Sequence, residues 1–287
     1  MSKNLLMNAL RVNNPKSTMF NCDASVISYK TGFPILDYYL GYKVNVYDEN
    51  DQIAEQYPCI GISAGCFVTA IGKPSTGKTT MMVQIASNIV RDFDNGSVIH
   101  YDLEKALNYS RIQVLSRFKM KEMQSKYVLK QEKTSIQDIK SAIMQIYKEK
   151  TSHPEIYKYD TGKKNEFGEN IFMYEPTCVI IDSIPMLSTH INENDKKEAA
   201  KLEEISSQTD RMRLTGEIGR FYSELQQYIR EANIIVFSIN QIKTNPNMGI
   251  VKSPSEILYL SQDEAFKLLI NYIMRKPYIG IYSKKLS

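Results

Sequence analysis

The stretch CFVTAIGKPSTGKTT, residues 66–80, decides the fold of this chain. It opens with the apolar run 66–71, which is typical of a buried strand, and continues into a glycine-rich turn. From Thr79 onward, apolar residues recur at helical spacing as far as Phe93. A strand, a glycine-rich turn and a helix in this order predict one βα unit of a parallel sheet.

The same alternation continues along the chain. Apolar runs predict strands at 98–101, 127–130, 178–181 and 233–239, and helical periodicity appears near 112–118, 136–147 and 218–228. Right-handed crossovers place such helices on both faces of the sheet. We therefore predict an α/β fold with a mostly parallel, doubly wound sheet.

Composition excludes several other classes of protein. Of 287 residues, 43% are hydrophobic and 24% are charged, which is close to the globular average and excludes wholesale disorder. No apolar run approaches the ~18 residues of a membrane span. The four cysteines show no CxxC spacing and the three histidines are scattered, so we expect free thiols in the cytoplasm and no zinc site. A net charge of +4 permits nucleic-acid binding without arguing for it.

The glycine-rich turn fits the pattern GxxxxGK[ST] between a predicted strand and a predicted helix. Its glycines let backbone amides wrap a phosphate, and the helix N-terminus adds partial positive charge. We predict a site for ATP and Mg²⁺ in which Lys78 reaches the phosphates and Thr79 offers a hydroxyl to the metal. The predicted ATP-binding residues are Gly72, Lys73, Pro74, Ser75, Thr76, Gly77, Lys78, Thr79 and Thr80.

Polar side chains at other strand ends are expected near this turn, because parallel strands end at one edge of the sheet. Asp182 ends the run CVIID and is predicted to hold Mg²⁺ together with Thr79. Glu104 follows the strand 98–101 and is a candidate base for the attacking water, with Asp102 as the competing candidate. Gln241 follows the strand 233–239 and can bond to a γ-phosphate. Spacing alone leaves open that these are surface charges or strand-end caps.

Five segments carry a resemblance to a family. TGFPILDYYLG, GISAGCFVTAIGKPSTGKTT, VIHYDLEKAL, CVIIDSIPML and IIVFSINQIK occur in the order and rough spacing of RecA-type recombinases. The chain resembles the bacterial RecA and phage UvsX branch, over roughly residues 25–275. The abundance of Lys and Asn suggests an AT-rich source, and the resemblance to UvsX favours a bacteriophage homologue, acting in the cytoplasm of its host.

The resemblance implies a RecA-like P-loop ATPase core at 25–275, with an insertion at 42–58. Glu104 then matches the general base, Asp182 and Ser183 the Walker B pair, and Gln241 the residue that couples the γ-phosphate to DNA. Residues 1–24 match an N-terminal oligomerisation helix and linker, and 276–287 form a C-terminal tail. The DNA-binding loops fall at about 188–213 and 243–262, with Lys196, Lys197, Lys243 and Lys252 as candidate DNA ligands; individual loop lysines can equally be solvated surface.

Three features depart from the family pattern. An aromatic residue often stacks on adenine seven positions after the general base; here that position is Arg111, whose guanidinium can also stack. The family's glycine pair near the end of the second loop is replaced by Ser261-Gln262-Asp263. Nothing after Arg275 matches the family's last strands and their lysines, so the resemblance predicts a truncated C-terminal part.

The leading interpretation is an ATP-dependent DNA recombinase. It would form helical filaments on single-stranded DNA, pair that DNA with homologous duplex and exchange strands. Its partners would be single- and double-stranded DNA, other copies of itself, a single-strand-binding protein and a loader, with no membrane. Two alternatives stay open: a DnaB-type replicative helicase ATPase, and a non-catalytic recombinase mediator or paralogue.

Overall fold

The computed structural model describes residues 27–47, 52–164, 170–188, 203–241 and 266–269. The predicted N-terminal helix, the C-terminal tail and Arg275 lie outside these residues, as do the candidate DNA ligands Lys196, Lys197, Lys243 and Lys252. None of the described helices is both long enough and apolar enough to cross a membrane.

Twelve strands and seven α-helices are described. The strands are β1 Ser28–Tyr29, β2 Tyr42–Tyr47, β3 Ile53–Cys59, β4 Ile62–Ser63, β5 Phe67–Gly72, β6 Ser97–Asp102, β7 Tyr127–Lys130, β8 Lys158–Lys164, β9 Asn170–Tyr174, β10 Thr177–Asp182, β11 Ile234–Gln241 and β12 Phe266–Leu269. The helices are α1 Pro34–Leu40, α2 Lys78–Val90, α3 Tyr109–Ser116, α4 Met120–Lys126, α5 Ile136–Ser152, α6 Pro154–Tyr157 and α7 Glu203–Glu231, with a short 3₁₀ helix at Ile184–Met186.

Six strands form the central sheet in the order β12-β5-β11-β10-β6-β7. Every neighbouring pair of these strands is parallel. The strands β5, β10 and β11 are buried along almost their whole length, as expected for strands covered on both faces. The prediction of an α/β fold with a parallel sheet is confirmed.

Two apolar cores lie on opposite faces of the sheet. On one face, alternate residues of β5, β10 and β11 pack with α1, α2, α3 and α4. On the other face, the intervening residues of the same strands pack with α5 and α7. Ile180 and Phe237 belong to the first core, whereas Val179 and Val236 belong to the second. Because side chains alternate along a strand, each strand contributes to both layers.

Two antiparallel hairpins extend this core. The predicted insertion at 42–58 is the hairpin β2–β3. The polar stretch 149–170, which we interpret from its sequence as a loop, is described as the end of α5, α6, and β8, which pairs with β9. The loop interpretation was wrong because the hairpin is held by burial of one face: Ile171 and Met173 are buried, while Phe172 between them is exposed.

The first predicted DNA loop is also shorter than expected. Within the range 188–213, α7 already begins at Glu203. The second half of this helix contains the amphipathic repeat that the sequence shows from Ile218. Ile218, Leu225 and Ile229 are buried on the side of the helix that packs against the sheet. The first turns of this helix of 29 residues have a polar sequence, EEISSQTD, in which the apolar periodicity is hard to recognise.

Gly65 lies where the chain enters β5 from the turn after β4. Its φ angle is +55°, and a Cβ atom there would lie 2.6 Å from Arg230 Cα and 2.7 Å from the Ile229 carbonyl oxygen. Both contacts are with the backbone at the end of α7, which cannot move aside without opening the core. Close packing of two backbones therefore requires glycine at this position.

We expect Gly65→Ala to lower the free energy of unfolding by about 2–4 kcal/mol, because it combines overpacking with backbone strain. The matched control is Gly216→Ala on α7, where an added Cβ meets nothing within 4 Å. That substitution should stabilise the protein by about 0.5–1 kcal/mol through helix propensity. Urea denaturation of both variants measures the two effects, and equal effects of the same sign would contradict the packing assigned to Gly65.

Candidate functional site

The register of the parallel strands brings the predicted site residues to one edge of the sheet. Gly72 at the end of β5 lies opposite Gln241 at the end of β11. Asp182 at the end of β10 lies opposite Asp102 at the end of β6. In an open α/β sheet this carboxyl edge is where ligands bind.

The glycine-rich loop joins β5 to α2 over residues 73–77. Gly77 caps the helix in the left-handed conformation, with φ of +80°, and a Cβ atom there would meet nothing within 4 Å. The helix therefore begins at Lys78, and open space lies beside its N-cap. A helix N-terminus of this kind favours anions.

The Lys78 side chain lies inside the loop. Its Nζ donates to the Gly72 carbonyl oxygen at 3.1 Å and to the Lys73 carbonyl oxygen at 2.6 Å. Burial lowers the pKa of this ammonium group, while the carboxylates of Asp182 and Glu104 act in the opposite direction. The loop thus holds a cation over the carboxyl edge of the sheet.

Thr79 and Asp182 form the second part of the site. The Thr79 hydroxyl donates to Asp182 Oδ2 at 2.6 Å, although the two residues are far apart in the chain. Burial raises the pKa of the Asp182 carboxyl group to about 6, the Thr79 hydrogen bond opposes this, and Glu104 and Asp102 raise it further. A hydroxyl and a carboxylate oxygen are ligands that a hard divalent cation prefers.

The described residues contain no cluster of three or more His, Cys, Asp or Glu side chains able to hold a metal. This agrees with the composition of the Thr79–Asp182 pair, which has a single carboxylate. Mg²⁺ sites at phosphate groups typically use one or two carboxylates and take their other ligands from phosphate and water. The donor set therefore suits a metal that arrives with a phosphate ligand.

Glu104 lies between two side chains from neighbouring strand ends. Its Oε1 accepts from the Ser183 hydroxyl at 2.7 Å and from the Gln241 side-chain amide at 2.6 Å. Ser183 follows β10 across a cis peptide bond, and Gln241 ends β11. The carboxylate is exposed at the edge of the sheet, on the same side as Lys78 and Asp182.

Asp102 has a different role from Glu104. It is fully buried, and its two oxygens accept from the backbone amides of Ala106 at 3.2 Å and Leu107 at 3.0 Å. A buried carboxylate engaged in this way closes the turn that carries Glu104 and is not in contact with solvent. Of the two candidate bases, the geometry favours Glu104.

The remaining predicted residues lie at varying distances from this centre. Lys73, Pro74 and Ser75 are exposed on the loop, and Thr80 is half-buried in the first turn of α2. The Thr76 hydroxyl donates to the Lys73 carbonyl oxygen at 2.9 Å and so closes the loop. Arg111 is exposed in the first turn of α3, with its backbone amide capped by the Asn108 side chain. Stacking of the Arg111 guanidinium on the adenine ring of ATP stays a prediction.

Sequence reasoning missed Gln131. This residue directly follows β7, and its amide donates to Asp102 Oδ2 at 2.8 Å and to the Leu107 carbonyl oxygen at 2.7 Å. Its position had the signal that identified the others, a polar residue after a strand of the parallel sheet. The signal was weak because β7 is a short strand at the edge of the central sheet.

No protein-family model matches this chain, and a search of the curated proteins finds no match. The fold and the site define an α/β protein with a glycine-rich loop, a lysine, a hydroxyl–carboxylate pair and an exposed glutamate at one edge of a parallel sheet. The functional argument therefore depends on these residues.

Proposed function

We propose that this protein is a RecA-type, DNA-dependent ATPase with a P-loop, which acts as a recombinase. The observation that carries the proposal is the contact between Gln241 and Glu104. It joins a candidate catalytic carboxylate to the end of β11, directly before the segment 243–262 that the family resemblance assigns to DNA. A site of this kind can respond to DNA through one side-chain amide.

ATP with Mg²⁺ is the ligand that suits the site best. The loop amides, the N-terminus of α2 and Lys78 provide positive potential for the β- and γ-phosphates, and Thr79 with Asp182 would hold the metal. When bound, the metal neutralises charge on the transferring phosphoryl group. Residues 72–80 of the loop and Arg111 complete the proposed nucleotide contacts.

Glu104 is the proposed base. As an exposed carboxylate beside Lys78, it can orient a water molecule and take its proton. The Ser183 hydroxyl and the Gln241 amide both donate to the same oxygen, so the second oxygen of the carboxylate keeps its acceptor capacity. Gln241 can exchange this contact for one with a γ-phosphate, which would release Glu104 and move the segment after β11.

The proposed partners follow from the two segments that leave this edge. One follows Ser188 and carries Lys196 and Lys197, and the other follows Gln241 and carries Lys243 and Lys252. Lysines in such segments would pair with DNA phosphates, so we propose single- and double-stranded DNA as partners and a filament of many copies as the active form. A single-strand-binding protein and a loader would assist it in the host cytoplasm.

The test is the ATP turnover of the full chain with and without single-stranded DNA, at low salt and with Mg²⁺. We expect turnover to rise when DNA is added and the increase to weaken with salt, because phosphate contacts release counterions. Electron microscopy of the same samples should show helical filaments. Closed rings with unwinding activity would favour the helicase, and nucleotide binding without turnover in either condition would favour the mediator.

A further inference from the structure

We propose that Gln131 is a positioning residue, which fixes the turn that carries Glu104. The inference rests on the proposed function, because it concerns the base of the same reaction. Glu104 lies exposed in the connection of six residues, 103–108, between β6 and α3, and such a turn needs anchors if its carboxylate is to stay in place. The anchors are hydrogen bonds on the buried side of the turn.

The first anchor is Asp102. Its carbonyl oxygen accepts from the Lys105 amide at 3.3 Å, and its carboxylate accepts from the amides of Ala106 and Leu107. Lys105 adopts a positive φ of 53°, a conformation that ordinary residues keep only when their surroundings determine it. The side chain of Asp102 therefore shapes the backbone on the C-terminal side of Glu104.

The second anchor is Gln131, which holds both ends of this arrangement. One amide group donates to Asp102 Oδ2 and also to the Leu107 carbonyl oxygen, so it ties the first residue of the turn to its end. Asp102 is 0% exposed, and all three partners described for its side-chain oxygens are neutral amides. A buried carboxylate depends strongly on each such donor, because an unsatisfied charge in the interior is costly.

The segment that carries Gln131 is itself held at both ends. On one side, β7 pairs with β6 up to Lys130 opposite Tyr101, which places Gln131 beside Asp102. On the other side, Ser135 caps α5 together with Asp138, and the Ile136 amide donates to the Ser188 carbonyl oxygen. Gln131 therefore lies on a segment that is held in place, and its hydrogen bonds hold the Glu104 turn relative to that segment.

The experiment compares Gln131→Leu with Gln137→Leu in the full chain. Leucine removes both donors of Gln131 at similar volume, whereas Gln137 is a half-buried glutamine on α5 that contacts Glu217 and not the turn. For Gln131→Leu we expect kcat for ATP to fall about tenfold or more, because small displacements of a catalytic group are costly, while KM stays close to the wild type. Tm should fall modestly, because the buried Asp102 carboxylate loses the donor that Gln131 provides. Gln137→Leu should keep the wild-type kcat.

Amide hydrogen exchange at Ala106 and Leu107 gives an independent readout. Exchange at both amides should be faster in Gln131→Leu than in the wild type and in Gln137→Leu. Unchanged kcat or unchanged exchange in Gln131→Leu overturns the proposal. So does a general loss of structure, in which KM rises and amides far from the turn exchange faster together with the loss of kcat. If the wild type hydrolyses no ATP, the proposed function fails, and the exchange measurement alone then supports or overturns the role of Gln131.

Discussion

Replacing Glu104 by glutamine is expected to lower ATP turnover by about 10²–10⁴-fold, the range typical of a lost general base. ATP affinity should stay at the wild-type level, because the substitution leaves the loop, Lys78 and Asp182 unchanged. Steady-state phosphate release measures turnover, and equilibrium binding of a fluorescent ATP analogue measures affinity. Both are measured with and without single-stranded DNA.

The glutamine variant is informative because it preserves the contacts of the native side chain. The Glu104 oxygen that accepts from Ser183 and Gln241 can be replaced by the amide oxygen of glutamine. What is lost is the negative charge and the capacity to take a proton. A drop in turnover therefore reports chemistry and not a disordered turn.

Glu132→Gln is the matched control for this experiment. Glu132 is an exposed carboxylate that follows Gln131 on the same edge of the sheet. Its neutralisation changes the net charge by the same amount and should leave turnover unchanged. Wild-type turnover in Glu104→Gln would contradict the assignment of the base, and weakened ATP binding would instead make Glu104 part of the ligand contact.

The carboxyl edge of the sheet could be predicted from the sequence. Each buried strand is a short apolar run whose end is visible, and parallel strands must end together. This is why Asp182, Glu104 and Gln241 could be assigned to one edge although they are scattered along the chain. The pairing of Thr79 with Asp182 follows from the same logic, and the structure places their side chains in contact.

The choice between Asp102 and Glu104 could not be made from spacing. It depends on which carboxylate accepts the backbone amides of the turn, and that depends on the positive φ of Lys105. The sequence of such a turn has no periodic pattern from which its backbone conformation could be predicted. The contact of Gln131 with Asp102 was missed for a related reason, because it follows only from the register of β7 beside β6.

Peripheral elements were harder to predict than the core. The hairpin β8–β9 buries Ile171 and Met173 on one face, but glycine and lysines in its first strand mask the alternation. The beginning of α7 was missed because its sequence, EEISSQTD, is mostly polar. In both cases tertiary packing of one face decides the structure, and local pattern does not.

Asp182→Asn is expected to have opposite effects on activity and on stability. Turnover should fall about 10²-fold or more, because the variant loses the carboxylate that accepts from Thr79 and with it the charge that would hold Mg²⁺. In metal-free buffer at pH 7.5, however, the variant should be more stable than the wild type by on the order of 1–3 kcal/mol. Phosphate release at several Mg²⁺ concentrations and thermal unfolding measure the two effects.

The stability gain follows from the pKa of Asp182. Burial raises this pKa to about 6 in the folded protein, from an ordinary value of 3.8. Between these two values the folded state binds more protons than the unfolded state, so stability falls as pH rises through this window. Above about pH 6 the full cost of the buried charge is present, and asparagine removes it while its oxygen can still accept from Thr79.

Thermal unfolding at pH 4 and pH 7.5 separates this explanation from a general effect of the substitution. At pH 4 Asp182 is protonated, so the cost of its buried charge is absent from the wild type. The difference in stability between the wild type and the variant should then nearly vanish. Asp94→Asn, at an exposed turn before β6, is the matched control and should change neither turnover nor the pH profile. A variant that keeps wild-type turnover contradicts the metal site, and one that is less stable than the wild type at pH 7.5 contradicts the buried charge. If both effects occur together, Asp182 is maintained at a cost to the fold, and that cost is explained only by a ligand that needs its charge.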